Sequence, residues 1–244
     1  MDSTAVAVLV GAVVGGVGGV FVPRLIAAIP EPEPETQAET ETEPEPAPEP
    51  AADPEETFAE IAALRGLSWR AAVVGAAAGA LLGAGIGWHW PLVMWVPLVP
   101  AYVALGLVDW RRQLLPTYVI APLYVVMLVL VLVGWAVTRD TGAVVHAALG
   151  WLVYGGLFGV LWFVYPRGLG YGDVRLSGVL GLALGWLGWG PLLVGLYAGL
   201  ILGGVCGVVL TLLKVVDRRN NPFGPYMLIG ALIGVLWGGQ IWSL

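Results

Sequence analysis

Two aspartates stand at the ends of long apolar segments, where ionisable side chains are scarce. Asp109 lies in LGLVDWRRQLLPTYVI, and Asp173 lies in PRGLGYGDVRLSGVLG. Ionisable residues bordering such segments are costly to bury and are candidates for function. Two carboxylates that meet at a partly desolvated boundary cannot both ionise cheaply, so the pair is expected to share one proton. Such a pair suits aspartic proteolysis, in which one member activates a water and the other polarises the scissile carbonyl.

The residues beside the two aspartates favour the same chemistry. Gly170 and Gly172 remove side chains next to Asp173, so that a substrate backbone can approach closely. Leu115 and Pro116 are predicted to end one helix and begin the next, because proline is tolerated in a first helical turn.

Other catalytic chemistries have few residues to draw on. The 2 His and the 1 Cys are scattered along the chain, so neither a zinc site nor a Cys–His pair is predicted. We therefore predict no metal and no cofactor for the proteolytic reaction. Three arginines, Arg111, Arg112 and Arg175, are expected to anchor the motifs at a membrane boundary, and Arg175 could bias the titration of Asp173.

The composition indicates that membrane helices position these residues. The chain of 244 residues is 58% hydrophobic and 11% charged, whereas an average soluble domain has about 25% charged residues. A hydrocarbon core of about 30 Å needs about 20 apolar helical residues. The fold class predicted is an all-α polytopic membrane bundle with about eight transmembrane helices. The eight predicted spans are 4–22, 70–88, 92–109, 117–138, 143–165, 174–189, 191–213 and 225–243.

Counting spans places both aspartates on one side of the membrane. Two crossings separate Asp109 from Asp173, and two crossings return a chain to the side that it left. The loops on that side hold all 11 Lys and Arg residues except Arg139, and such loops are usually cytoplasmic. We therefore expect the pair at the cytoplasmic face of an inner membrane, with both termini outside. No basic cluster exceeds two adjacent arginines, so the lipid bilayer is an expected partner and nucleic acid is not.

The segment between the first two spans has a different composition. It alternates Glu, Pro, Thr and Ala, and it holds all of the 17 acidic residues except Asp2, Asp109, Asp140, Asp173 and Asp217. Such a segment repels itself and has little apolar surface to bury, so we predict a solvated linker with a short helix near 55–65. The predicted organisation is a first transmembrane helix at 1–29, the acidic linker at 30–68 and a seven-helix core at 69–244.

The two aspartate motifs resemble those of the type IV prepilin peptidases, membrane aspartic proteases of the GxGD class. The first motif of that family, an aspartate followed by Leu-Pro, reads here Asp109-Trp-Arg-Arg-Gln-Leu-Leu-Pro116. The second reads Gly170-Tyr-Gly-Asp173-Val-Arg175-Leu176, with Arg where Lys is commoner. A weaker match, Pro222-Phe-Gly-Pro225, precedes the last predicted span. The resemblance extends over residues 100–244.

The resemblance implies the GxGD aspartyl protease architecture, with Asp109 and Asp173 as the catalytic pair. It also implies that the substrates are prepilin or pseudopilin precursors, cut between a short basic leader and the apolar helix that follows. Many family members also N-methylate the new terminus with S-adenosylmethionine. Larger members often carry two Cys pairs where this chain has its acidic linker, so methylation is left open, and short members serving Flp/Tad-type pili are more similar.

Two other classes of protein compete with the protease. A proton-coupled transporter could use both aspartates as relay groups, although transporter sites usually lie near the bilayer midplane between inverted repeats. A non-catalytic assembly factor would not need the aspartates for pilin processing. Within the proteases, a presenilin-like enzyme should carry Pro-Ala-Leu before its last helix, and this sequence has none there.

Overall fold

The computed structural model describes residues 2–31, 56–166, 169–212 and 222–242, and within these ranges the chain forms helices and no strand. The helices, in chain order, are α1 (Ser3–Val20), α2 (Val22–Ala27), α3 (Phe58–Ala62), α4 (Leu67–Ile86), α5 (Pro91–Trp95), α6 (Val99–Arg112), α7 (Thr117–Thr138), α8 (Thr141–Gly150), α9 (Gly156–Val164), α10 (Tyr171–Leu187), α11 (Trp189–Leu212) and α12 (Gly224–Trp242). A 3₁₀ turn at Val96–Leu98 joins α5 to α6, and a π-helical turn at Trp151–Gly155 joins α8 to α9.

Helices occur in all eight of the predicted spans, and the prediction of a helical, multi-pass membrane protein is confirmed. Five segments of the described chain are long and apolar enough to cross a bilayer: Ser3–Val20, Leu67–Ile86, Pro91–Arg112, Thr117–Thr138 and Thr141–Val164. Two further helical segments are shorter: α10, with 17 residues, and the apolar segment Trp189–Val205 of α11. The number of eight crossings stays a prediction. Most of the acidic linker, 32–55, lies outside the described residues.

Glycines set the close approach of the helix pairs. A Cβ on Gly11 of α1 would collide with the carbonyl oxygen of Gly79 in α4, and the same is true of Gly150 in α8 against Gly181 in α10. Membrane helices associate through such small residues, because lipid provides no hydrophobic driving force between them.

Helix α10 is the centre of the bundle. Every residue from Leu176 to Trp186 is buried, and the helix contacts α7, α8, α9, α11 and α12. A helix that is apolar on all sides is expected at such a central position. The aspartate in its first turn is consequently held at one end of a helix that is buried along most of its length.

Candidate active site

Asp109 lies in the last turn of α6 and is only 4% exposed. Its Oδ2 accepts a hydrogen bond of 2.8 Å from the backbone N–H of Gly224, the first residue of α12. This N–H is one of those that an α-helix leaves without an internal partner. A Cβ on Gly224 would lie 2.8 Å from the same Oδ2 and 3.2 Å from Cγ of Asp109. Glycine at this position therefore lets α12 begin directly against the carboxylate.

Asp173 lies in the first turn of α10 and is 7% exposed. Its Oδ2 accepts a hydrogen bond of 3.1 Å from the N–H of Gly170, the residue that caps the helix. Its Oδ1 is buried without a hydrogen-bond partner among the described residues. Buried polar atoms are normally paired, so an unpaired carboxylate oxygen is a candidate for contact with water or substrate.

The two predicted motifs meet at one end of the bundle. Gly172, next to Asp173, faces Leu115, and a Cβ on Gly172 would lie 2.6 Å from the Leu115 Cβ and 3.2 Å from its carbonyl oxygen. Asp109 is close enough to Asp173 for the two carboxylates to interact electrostatically. The structure thus brings together residues that are 64 positions apart in the chain.

The Leu-Pro element forms the connection between α6 and α7. Gln113 adopts a left-handed conformation, with φ of 51°, and its N–H bonds to the Asp109 carbonyl at 2.8 Å, which ends α6. Leu115 and Pro116 are buried. Pro116 is extended and precedes α7, so it caps that helix rather than lying in its first turn as the sequence suggested.

Arg175 contacts the groups beside Asp173. Its guanidinium donates to the Thr117 hydroxyl and lies 4.4 Å from the centre of the Tyr171 ring. Arg175 therefore joins the start of α10 to the start of α7, in line with an anchoring role.

The two arginines after Asp109 form ion pairs with the acidic segment. Arg111 pairs with Glu56 at 3.1 Å, and Arg112 pairs with Glu31 at 2.8 Å. The sequence predicted both arginines as anchors at the membrane boundary, but it did not identify these partners. Glu31 and Glu56 lie on either side of the part of the linker that the structure leaves undescribed.

A short helix completes this connection. Glu31 also accepts the N–H of Phe58, the first residue of α3, and the Phe58 ring lies 4.3 Å from the guanidinium carbon of Arg112. The Arg112 side chain is 7% exposed. Helix α3 begins with a capping box in which Thr57 and Glu60 bond each other's backbone N–H. The last turn of α6, which carries Asp109, is consequently tied to α3 and to Glu31, four residues after the end of α2.

Within the described ranges, no three His, Cys, Asp or Glu side chains gather as a metal site would require. The Gly224 contact is the functional feature that sequence reasoning missed. The Phe-Gly-Pro element was recognised only as a weak motif, and its proximity to Asp109 required the structure.

Comparison with known proteins identifies relatives. Residues 96–212 match the model of the type IV leader peptidase family. The chain is 35% identical over 183 residues to the prepilin leader peptidase/N-methyltransferase of Pseudomonas putida, covering 67% of this chain and 58% of that protein. The protein of the same name from Pseudomonas aeruginosa is 32% identical, covering 66% of this chain and 57% of the relative. That from Escherichia coli K12 is 32% identical over 146 residues, covering 54% and 58%.

The chain thus spans less than three-fifths of the length of these relatives. No solved structure matches it.

Proposed function

Because the chain belongs to the type IV leader peptidase family, we propose that it is an aspartic endopeptidase that removes short basic leaders from prepilin-like precursors. The observation that carries the proposal is the contact between the two motifs. Leu115 of the first motif touches Gly172 of the second, and the two buried carboxylates are close enough to interact electrostatically. The loops on the side of the two aspartates hold all Lys and Arg residues except Arg139, which supports a cytoplasmic active site with both termini outside.

The proposed reaction uses the pair with one proton between them. The ionised carboxylate takes a proton from a bridging water as that water attacks the scissile carbonyl carbon, and the protonated carboxyl group donates to the carbonyl oxygen. The tetrahedral intermediate then collapses as the amide nitrogen receives a proton from the pair, the C–N bond breaks and the leader leaves as a carboxylic acid. The reaction consumes one water and requires neither a metal nor a covalent intermediate.

The N–H groups of Gly224 and Gly170 hold one oxygen of each carboxylate. The other oxygens are thereby oriented for water and substrate. N-methylation of the product would be a separate reaction with S-adenosylmethionine as methyl donor, and no residue of this chain is assigned to it.

The proposal is tested by co-expression with a Flp-type pilin precursor and mass measurement of the product amino terminus. D109N and D173N should each abolish leader removal while leaving the protein in the membrane at normal abundance. D140N is the matched control, because Asp140 caps α8 away from the pair and Asn is an equally good cap. A variant of either site aspartate that keeps near-normal cleavage would remove that residue from the pair. The same spectrum reports whether the product is methylated.

A further inference from the structure

An apolar groove with a volume of about 510 Å³ runs between α4, α6 and α12. On α4 its lining residues recur every three or four positions: Leu67, Ala71, Val74, Ala78 and Leu82. Fifteen residues of helix extend about 22 Å, which is most of a hydrocarbon core of about 30 Å. The groove therefore runs along the helices for much of their length, and the exposed Val74 and Ile229 lie in its wall.

One end of the groove lies beside Asp109. Trp110 and Arg111, the two residues that follow Asp109, are part of its lining. Pro225 also lines it and follows Gly224, whose N–H holds the Asp109 carboxylate. A segment that leaves the carboxylates along the membrane would enter the groove directly.

We propose that this groove binds the apolar helix of the substrate, the segment that follows the bond to be cut. The inference rests on the proposed function and identifies where the retained part of the substrate is held. Helix-in-groove recognition needs an elongated apolar surface. The groove has one, and its small residues Ala71, Ala78 and Gly106 would allow a helix backbone to approach closely.

The charges at the groove favour the apolar helix over the basic leader. The two charged lining residues are Arg70 and Arg111, both exposed, and Arg111 belongs to the turn that follows Asp109. A leader rich in Lys and Arg would meet Arg70 and no carboxylate among these lining residues. An apolar helix would contact the uncharged lining of α4, α6 and α12. The leader would then extend away from the groove, which places the bond between leader and helix over the carboxylates.

The first test is kinetic, and it uses a substitution that places a bulky side chain in the groove. The probe is a synthetic peptide with a short Lys/Arg leader and an apolar Leu/Ala segment of about 20 residues, presented to the full chain in lipid vesicles. A78F should raise KM about tenfold and leave kcat nearly unchanged, because it removes binding that is equal in the ground and transition states. A77F is the matched control, since Ala77 is exposed on the same helix and does not line the groove. Equal KM values for A78F and A77F would overturn the proposal.

A cross-linking test identifies the occupant. The single cysteine is replaced in C206S, and a new one is placed in the groove by V103C or on the lipid-facing side of α7 by V125C. The uncut probe carries a cysteine about two turns after its leader. A disulfide to V103C and not to V125C supports the proposal. Equal yields at both positions overturn it, and so does a V103C disulfide between two copies of the chain.

The two tests separate this inference from the proposed function. Cleavage of the probe by the wild-type protein without a disulfide to V103C would leave the peptidase standing and assign the groove to lipid. A disulfide to V103C with a probe that the wild type does not cleave would support the groove and contradict the peptidase.

Discussion

The two aspartates are held in different ways. Asp109 is bonded to the N–H of Gly224, which is 115 residues away in the chain, whereas Asp173 is bonded to the N–H of Gly170, only three residues before it. The first contact exists only when α6 and α12 have packed together. The second forms within one helical turn. The position of Asp109 is therefore a product of tertiary assembly, and the position of Asp173 is largely set by its own motif.

The surroundings extend this difference. On the Asp109 side, the turn after the carboxylate is tied to α3 through Arg112, Glu31 and Phe58. On the Asp173 side, Oδ1 is buried and unpartnered among the described residues, and Arg175 reaches Thr117 rather than the carboxylate. Each carboxylate has one oxygen bonded to a glycine N–H, but only the turn that carries Asp109 is also tied to a neighbouring helix through a buried arginine. We expect substitutions around Asp109 to lower activity by displacing its carboxylate. Substitutions around Asp173 should lower both the activity and the stability of the fold.

Among substitutions around the pair, the largest effects should come from the two glycines that touch the motifs. In G224A the new Cβ would lie 2.8 Å from Oδ2 of Asp109, so the short side chain must turn away. Misplacing a catalytic group by about 1 Å can cost about a hundredfold in rate, and we expect a loss of that order in kcat/KM with little change in thermal stability.

In G172A the new Cβ would meet both the Cβ and the carbonyl oxygen of Leu115. Backbone must then move, so G172A should lose activity and also about 1–3 kcal/mol of stability.

Two measurements separate these outcomes: the kcat/KM for cleavage of a pilin precursor, and the thermal unfolding of the protein in detergent. The control is G156A, because a Cβ at Gly156 of α9 has no heavy atom within 4 Å. If G224A were destabilised as strongly as G172A, the carboxylate of Asp109 would be held more rigidly than the contact implies. If G224A kept full activity, the hydrogen bond from α12 would not position Asp109.

A smaller effect is expected from the ion pairs of the acidic segment. R112Q removes a guanidinium that is 7% exposed and stacked on Phe58, so we expect cleavage to slow by about threefold to tenfold through loss of a partly buried pair. R112K keeps the charge but loses the planar contact, and its effect should fall between those of R112Q and wild type. R111Q breaks a pair whose arginine side chain is 39% exposed, so it should change the rate by less than about twofold.

Initial rates on one precursor, measured at low and at high salt, test this order. The R112Q defect should persist at both salt concentrations because the Arg112 side chain is only 7% exposed and lies against the Phe58 ring. Any R111Q defect should disappear at high salt. Equal defects for R111Q and R112Q would show that net charge near Asp109 matters more than the tie to α3.

The sequence could single out the two aspartates as candidates because their signals are local. Asp109 and Asp173 stand out as ionisable residues beside apolar runs, and hydrophobic length predicted where each helix lies. The Gly224 contact could not be predicted, since hydrophobic periodicity does not specify which helix ends meet across a bundle. The roles of Glu31 and Glu56 could not be predicted either, because composition treats all acidic residues of the linker alike, whereas the fold pairs these two with arginines.

The breaks inside the spans had only partial sequence signals. Pro97 and Pro100 lie at the 3₁₀ turn and at the start of α6, where missing N–H groups explain the interruption. The π-helical turn at Trp151–Gly155 has no proline, and hydropathy predicted a single uninterrupted span there. This turn packs against α10, where Trp151 lies close to Gly178 and Gly150 lies close to Gly181.

The smallest effect is expected at the far end of the tie, at Glu60 of α3. The N–H and the hydroxyl of Thr57 both bond its carboxylate and lower the pKa of Glu60 below the usual 4.5. A lowered pKa means that the ionised group stabilises α3 at neutral pH, and that this stabilisation is lost as the pH falls through the lowered value. E60Q should therefore increase hydrogen exchange of the α3 amides at neutral pH and slow cleavage by less than about twofold, because the exposed cap contributes little. At a pH below the lowered pKa of Glu60, the exchange rates of E60Q and wild type should converge. A cleavage defect in E60Q as large as that of R112Q would mean that α3 itself, rather than the Arg112–Glu31 pair, holds Asp109 in place.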